Sequence, residues 1–267
     1  MHLHCLGTAG YHPSETRQTS CYFLSEAGIV LDAGSGIFRL PALIKTDHLD
    51  ILLSHAHLDH IAGLTYLLDV LHERPVAEVR IWGEAEKLSA VREHLFHALV
   101  FPVELPVTWH AIDDRPRITL PTADVQWHPQ EHPGGSVAYR LDLRSKENLH
   151  STEISSNPLR VVYATDTVGS LDGRFLHWMG RPTWLLHECN FANAEAEWAE
   201  KTGHCYVDRV AKIAKASDSQ NVLLTHINPL RELDPSEVEN AFDRPVRIAG
   251  DKMEIRLETA APTIAGG

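Results

Sequence analysis

The sequence has few cysteines, no excess of positive charge and no long apolar run, and each absence argues against a class of protein. Its 267 residues include four Cys, and none has Cys-x-x-Cys spacing, so we expect neither a thiolate zinc site nor a disulfide framework. The formal net charge is −12, whereas a dedicated nucleic-acid-binding protein usually carries an excess of basic residues. No apolar run approaches the roughly 20 residues that a membrane-spanning helix needs. The sequence therefore predicts a globular protein that does not enter a membrane.

The rest of the composition predicts one ordinary domain. Hydrophobic residues make up 43% of the chain and charged residues 22%, enough for a sizeable core without disulfides. No linker or repeat divides the chain, so a single domain is expected over residues 1–258, followed by a small-residue-rich tail, 259–267, predicted to be disordered. The sequence opens on the strand-like His2–Leu6 rather than on a charged-then-apolar leader. The cytoplasm is therefore the expected location.

Short apolar strands alternate with amphipathic helices, which is typical of an α/β fold. Strands are predicted at 28–31 and 79–82, and helices at 61–71 and 84–99. From 107 to 143 the pattern changes to short strands separated by turns that contain Pro and Gly.

The run His55-Ala56-His57-Leu58-Asp59-His60 is the most informative segment of the chain. It places three imidazoles and one carboxylate within six positions, and these ligand types suit zinc and related divalent ions. Apolar residues precede it at 51–53 and follow it at 61–64, which predicts a strand, a loop of ligands and a helix beginning at Asp59 or His60. This context favours a metal site over a solvated polar loop.

Four predicted strands end in an acidic residue or a histidine. Ligands of α/β proteins bind beyond the carboxyl ends of strands, so these side chains are expected to converge on one site. The strands and the residues that follow them are 51–53 with His55, 161–164 with Asp166, 184–186 with His187 and Glu188, and 222–224 with His226.

These residues resemble the metallo-β-lactamase-fold hydrolases, whose signature is matched by His55-x-His57-x-Asp59-His60. Within that superfamily the chain is most similar to the ribonuclease Z group and to related armless phosphodiesterases. The resemblance implies an α/β fold, a four-layer αββα sandwich. The segments that carry it, besides the signature, are Leu6–Gly10, Leu186–Cys189, Gly203–Cys205 and Ile248–Met253.

The resemblance also implies a dinuclear metal centre. Two divalent ions would share a hydroxide that attacks the substrate. Zinc is the first expectation because all donors are nitrogen or oxygen, with manganese and iron as alternatives. One ion would be held by His55, His57 and His132 and the other by Asp59, His60 and His226, with Asp166 bridging them.

Two histidines compete for the third metal motif, His128 and His132. His132 is followed by Pro133-Gly134-Gly135-Ser136 and then a strand, the order that the family shows. His128 lies at the end of the preceding strand and is predicted to be structural.

Four further roles follow from the resemblance. Glu188 and His204 would form a pair that stabilises the transition state or protonates the leaving oxygen, against the simpler readings of a surface carboxylate and a helix cap. Asp59 would double as the base that takes the proton of water. Asp32 would orient a ligand histidine.

The activity that this resemblance predicts is that of a metal-dependent phosphodiesterase acting on a small diester or an RNA end. tRNA 3′-end processing by a ribonuclease Z is the alternative. The interval Arg144 to Asn157 is too short for the family's tRNA-binding arm, and Glu15 stands where its Pro-x-Lys-x-Arg-Asn loop has Lys. Thioester, lactone and sulfate-ester hydrolysis are further alternatives. A non-catalytic scaffold is disfavoured because all seven ligands are present. Because relatives often form homodimers, a homodimer is also expected here.

Overall fold

A computed structural model describes residues 1–144 and 158–258, and two seven-stranded sheets form its centre. The polar segment 145–157 and the predicted disordered tail lie outside the described residues. In chain order the strands are β1 (His2–Gly7), β2 (Cys21–Leu24), β3 (Ile29–Leu31), β4 (His48–Leu52), β5 (Glu78–Gly83), β6 (Thr108–Ala111), β7 (Ile118–Thr119), β8 (Ala123–Gln130), β9 (Ser136–Leu143), β10 (Leu159–Ala164), β11 (Trp184–Glu188), β12 (Asn221–Thr225), β13 (Val246–Ile248) and β14 (Glu254–Arg256).

The two sheets have related topologies. The strand order is β14-β1-β2-β3-β4-β5-β6 in the first sheet and β13-β12-β11-β10-β9-β8-β7 in the second. Strands β3 to β6 run parallel to one another, and so do β10 to β13, while the remaining pairs are antiparallel. Each sheet therefore has a parallel half, whose carboxyl ends share one edge.

Seven α-helices cover the outer faces of the sheets in the described part of the chain. α1 to α3 pack on the first sheet, and α4, α6 and α7 pack on the second. None of these helices is long and apolar enough to cross a membrane. The helices are α1 (Leu58–Ile61), α2 (Leu67–Glu73), α3 (Ala85–Ala90), α4 (Gly173–Met179), α5 (Ala196–Thr202), α6 (Val207–Ala216) and α7 (Pro235–Ala241).

Alternating side chains of the strands build the layers. Tyr22 and Tyr163 point into the core between the two sheets, where their rings pack with centroids 5.6 Å apart. Their neighbours Phe23 and Val162 point outwards, against the helices. Because successive strand residues face opposite sides, each sheet is buried on both faces. The predicted four-layer αββα sandwich is confirmed.

Two predicted helices differ from those in the structure. The helix expected over 61–71 is interrupted by a 3₁₀ turn at Ala62–Tyr66, between α1 and α2. Gly63 lies in this turn because a Cβ there would collide with the carbonyl oxygen of Gly34. The helix expected over 84–99 passes from α3 into a π-turn, Val91–Leu95, and ends there. Local periodicity does not report such tertiary contacts.

Candidate metal centre

All seven predicted ligands lie at the edge where the parallel strands end. His55 and His57 lie in the loop between β4 and α1, Asp59 and His60 lie in α1 itself, and the others follow β8, β10 and β12. Three groups of donor atoms form, and within each the atoms lie within 4.8 Å of one another. The groups are His55, His57, His132 and Asp166; Asp59, His60 and His226; and Asp166, His204 and His226.

Asp166 lies between the first two groups. Its Oδ1 is 3.8 Å from His55 Nε2 and 3.5 Å from His132 Nε2. Its Oδ2 is 3.0 Å from His60 Nε2 and 3.3 Å from His226 Nε2. A carboxylate that faces both groups through different oxygens has the placement that a bridging ligand requires.

The hydrogen bonds of two imidazole rings indicate whether these residues suit a metal ion. The Nδ1 of His60 donates to Asp32 Oδ2 at 2.7 Å, and the Nδ1 of His55 donates to Ser54 Oγ at 3.0 Å. Each ring therefore directs its Nε2 into the cluster, and both Nε2 atoms are buried with no hydrogen-bond partner in the described residues. Unpaired buried nitrogens beside carboxylates are costly unless a cation is bound, so the donor set fits divalent metal ions.

The pKa shifts of most groups in the cluster also suit metal ligands. His60 is the exception, because burial lowers its pKa but the carboxylates of Asp166, Asp59 and Asp32 outweigh burial and hold the pKa well above its usual value. Burial lowers the pKa of His55 well below its usual value and lowers those of His57 and His132. Burial alone would raise the pKa of Asp166, but the surrounding imidazoles hold it well below its ordinary value. Neutral imidazoles and ionised carboxylates are the forms that bind a metal.

Asp32 makes the hydrogen bond to a ligand histidine that the sequence analysis predicted for it. The carboxylate is fully buried, and besides the Nδ1 of His60 it accepts hydrogen bonds from Ser54 N, Ser54 Oγ and Tyr163 Oη, all at 2.7–2.8 Å. Because Asp32 fixes the Nδ1 proton of His60, it sets both the tautomer and the direction of that ring.

Glu188 and His204 form a pair beside the cluster. Glu188 is fully buried rather than a surface carboxylate, and its Oε1 accepts from His204 Nδ1 at 3.0 Å. Its carboxylate also accepts from the backbone N–H groups of Thr167 and Cys205, at 2.7 and 3.0 Å. Burial lowers the pKa of His204, but the Glu188 carboxylate outweighs it and raises this pKa to about 9. Glu188 therefore fixes the His204 ring next to the predicted metal ligands.

Four residues of the site adopt left-handed backbone conformations. They have φ values of 50–65° although none is glycine, a conformation that costs about 1–3 kcal/mol where it is strained. Such strain concentrates at functional sites, and nothing in the sequence pattern signals it. The residues are Tyr11, Asp32, Asp166 and His226.

The structure separates the two candidates for the third motif and adds residues that the sequence analysis missed. His132 Nδ1 donates to Gly203 O at 2.9 Å within the cluster, whereas His128 packs against Phe175, with ring centroids 5.1 Å apart. The amide of Asn190 donates to His226 O at 3.0 Å, and Tyr11 N donates to Asp59 Oδ2 at 2.7 Å. The only sequence feature that could have pointed to Asn190 is its position directly after the family-like segment Leu186–Cys189.

The fold and the His and Asp cluster define a metal-dependent hydrolase of the metallo-β-lactamase fold. A family model described as a beta-lactamase superfamily domain matches residues 28–227, and the chain belongs to this family.

Relatives extend over nearly the whole chain. A ribonuclease Z of Archaeoglobus fulgidus is 27% identical over 300 residues, which cover 94% of this chain and 96% of that protein. The crystal structure of the short form of human tRNase Z has a TM-score of 0.72 and 18% identity, covering 97% and 100% of the two chains. That of a diphosphatase from the PhnP family has a TM-score of 0.67 and 18% identity, covering 95% and 96%. At these identities the two structures show the shared fold alone.

Proposed function

We propose that the chain is a phosphodiesterase whose cluster binds two divalent metal ions, with zinc as the first expectation. The observation that carries this proposal is the His204–Glu188 pair, which is joined by a 3.0 Å hydrogen bond and in which His204 lies beside the donor atoms of Asp166 and His226. When bound, two such ions activate water and neutralise charge on a phosphoryl group. We assign one ion to His55, His57 and His132, the other to Asp59, His60 and His226, and the bridge to Asp166.

His204 has the placement of a general acid. Its Nδ1 is engaged by Glu188, so the Nε2 is the atom that can give a proton to the leaving oxygen. A ring nitrogen of His204 lies within 4.8 Å of donor atoms of Asp166 and His226, so the ring is close enough to the site for this role. The alkoxide that leaves a phosphodiester needs a proton, whereas the thiolate that leaves a thioester needs far less help. The pair therefore favours phosphodiester over thioester substrates.

Asp59 is assigned to proton transfer from the attacking water. Its Oδ2 accepts the backbone N–H of Tyr11 and lies 3.2 Å from His226 Nε2. The other oxygen, Oδ1, is then the atom that takes the proton.

RNA 3′-end cleavage is the second candidate. Relatives named ribonuclease Z, 26–27% identical along most of the chain, support it. Against it, Glu15 presents an exposed carboxylate where the family loop has Lys, and like charge repels phosphate. A cytoplasmic location and a homodimer remain predictions.

The first test is hydrolysis of bis(4-nitrophenyl) phosphate by zinc- and manganese-loaded protein. We expect turnover that Asp59→Ala abolishes. His204→Ala should retain metal, and should lower kcat by about 10²–10⁴ for a dinucleotide, whose leaving group is an alkoxide. The loss should be much smaller for the nitrophenyl diester, whose leaving group needs little protonation. Metal-loaded protein that hydrolyses neither diester would overturn the proposal and direct attention to thioesters, lactones and sulfate esters.

A further inference from the structure

One aromatic side chain is held at the mouth of the candidate metal centre without being buried. The backbone N–H of Tyr11 donates to Asp59 Oδ2 at 2.7 Å, yet the residue is 81% exposed. Its φ of 65° is an outlier for a bulky side chain. Such a conformation persists only where its surroundings fix it. The ring of Tyr11 is therefore presented to solvent from a fixed backbone position one hydrogen bond away from a proposed metal ligand.

The loop that carries Tyr11 is anchored on both sides. Gly10 N donates to Ile227 O at 3.0 Å, and Ile227 follows the ligand His226. Asp251 holds the base of the loop, because its two carboxylate oxygens accept from Thr8 Oγ1 and Gln18 N, each at 2.7 Å. The position of the ring relative to the site is thus set by several contacts.

The Tyr11 ring has a second ring beside it and an exposed aliphatic residue next to Asp59 in the chain. The ring of His12 packs edge-on to that of Tyr11, with centroids 5.3 Å apart, and His12 Nδ1 donates to Pro13 O at 2.8 Å. Leu58, the residue before Asp59, is 69% exposed. Two exposed residues with large hydrophobic side chains are therefore linked to Asp59: Tyr11 through its backbone hydrogen bond and Leu58 as the preceding residue.

The same loop presents no matching cation to a phosphate. Arg17 Nη1 donates inwards to Thr8 Oγ1 and to Ala249 O, at 2.7 and 2.5 Å. Arg39 Nη1 binds Asp251 Oδ2 at 2.6 Å. The exposed charge of the loop is the carboxylate of Glu15. Recognition by this loop therefore depends on apolar and stacking contacts rather than on charge.

We propose that Tyr11 is a specificity-determining residue, on which a planar group of the substrate, a nucleobase, stacks while its phosphodiester is held at the metal centre. This inference rests on the proposed phosphodiesterase function. Stacking of a base on an aromatic side chain is sequence-tolerant and needs no charged partner, which matches the surface around Tyr11. The class of substrate is thus a nucleoside phosphodiester rather than an alkyl one.

The test compares two diesters that share one leaving group. Thymidine 5′-(4-nitrophenyl phosphate) carries a base, and methyl 4-nitrophenyl phosphate does not. Tyr11→Ala should lower kcat/KM for the thymidine diester about tenfold more than for the methyl diester, mainly through KM. Tyr11→Phe keeps a ring and should resemble the wild type. Ala is preferred to Gly because Gly would also relax the loop.

Calorimetric binding of thymidine 5′-monophosphate and methyl phosphate supplies a second readout that needs no turnover. Tyr11→Ala should weaken only the thymidine compound, again about tenfold. Equal losses for both compounds, or no loss for either, would overturn the role of Tyr11 while leaving the phosphodiesterase proposal intact. Base-dependent binding in a protein that hydrolyses neither diester would support Tyr11 and overturn the phosphodiesterase instead.

Discussion

Replacing Asp32 with Asn tests whether a buried carboxylate that touches no substrate controls metal binding. The substitution keeps the shape of the side chain and removes its charge. Oδ2 accepts from three donors, His60 Nδ1, Tyr163 Oη and Ser54 Oγ, while Oδ1 accepts only from Ser54 N. The amide will therefore turn its oxygen towards the three donors and its NH₂ group towards Ser54 N–H.

The magnitude follows from this geometry. One buried N–H then faces another donor, which costs about 1–3 kcal/mol of folding stability. The bond to His60 survives but loses its ionic partner, and charge-assisted hydrogen bonds are roughly twice as strong as neutral ones. Loss of such support typically lowers metal affinity by roughly ten- to hundredfold. We expect Asp32→Asn to fold and to bind zinc within that range below the wild type.

Competition with a chromophoric chelator measures the zinc affinity, and urea unfolding of the metal-free protein measures stability. Asp50→Asn is the matched control. Asp50 is also fully buried, on β4, but its carboxylate accepts from Arg80 and Trp82 Nε1 and not from a proposed metal ligand. The Asp50→Asn variant should lose stability and keep the zinc affinity of the wild type. Unchanged zinc affinity in Asp32→Asn, or an equal loss in Asp50→Asn, would refute the reasoning.

Two further predictions concern stability. Burial raises the pKa of Asp124, but the ion pair with Arg117 outweighs burial and holds this pKa below its ordinary value. The ion pair therefore stabilises the folded protein above about pH 4, and this contribution is lost as the pH falls through the folded-state pKa of Asp124. Urea unfolding should find Asp124→Asn about 1 kcal/mol less stable than the wild type at pH 7, a gap that closes towards pH 3, and a constant gap would contradict this. Gly63→Ala should cost about 1–3 kcal/mol because its Cβ meets Gly34 O. Gly173→Ala, with open space around the Cβ, is the control and should show no such loss.

The sequence predicted the elements whose side chains repeat with a regular period and end in polar residues. The strand ends at Asp166, Glu188 and His226 converge as expected because parallel strands in one sheet share an edge, and His55 reaches the same site from the first sheet. The order of the motifs also distinguished His132 from His128. His132 follows β8, as a ligand at the end of a strand should, whereas His128 lies within that strand.

What the sequence did not predict depends on contacts between distant segments. The bond from Tyr11 N to Asp59 joins residues 48 positions apart, and that from Tyr163 to Asp32 spans 131 positions. Neither leaves a local pattern, because a backbone N–H carries no side-chain signature and Tyr163 resembles any buried strand residue. Asn190 was missed for the same reason, since its partner is a carbonyl group.

The left-handed conformations of Asp166 and His226 explain why some of these long-range contacts exist. Each conformation turns the side chain into the cluster at the end of a strand, and each carbonyl oxygen is bound by a side chain from elsewhere. Ser136 Oγ donates to Asp166 O at 2.7 Å, and Asn190 Nδ2 donates to His226 O at 3.0 Å. A net hydrogen bond contributes about 1 kcal/mol, the same order as the cost of a strained residue. The two donors therefore offset the strain at the two ligands, so the metal donors can be aligned before any ion binds.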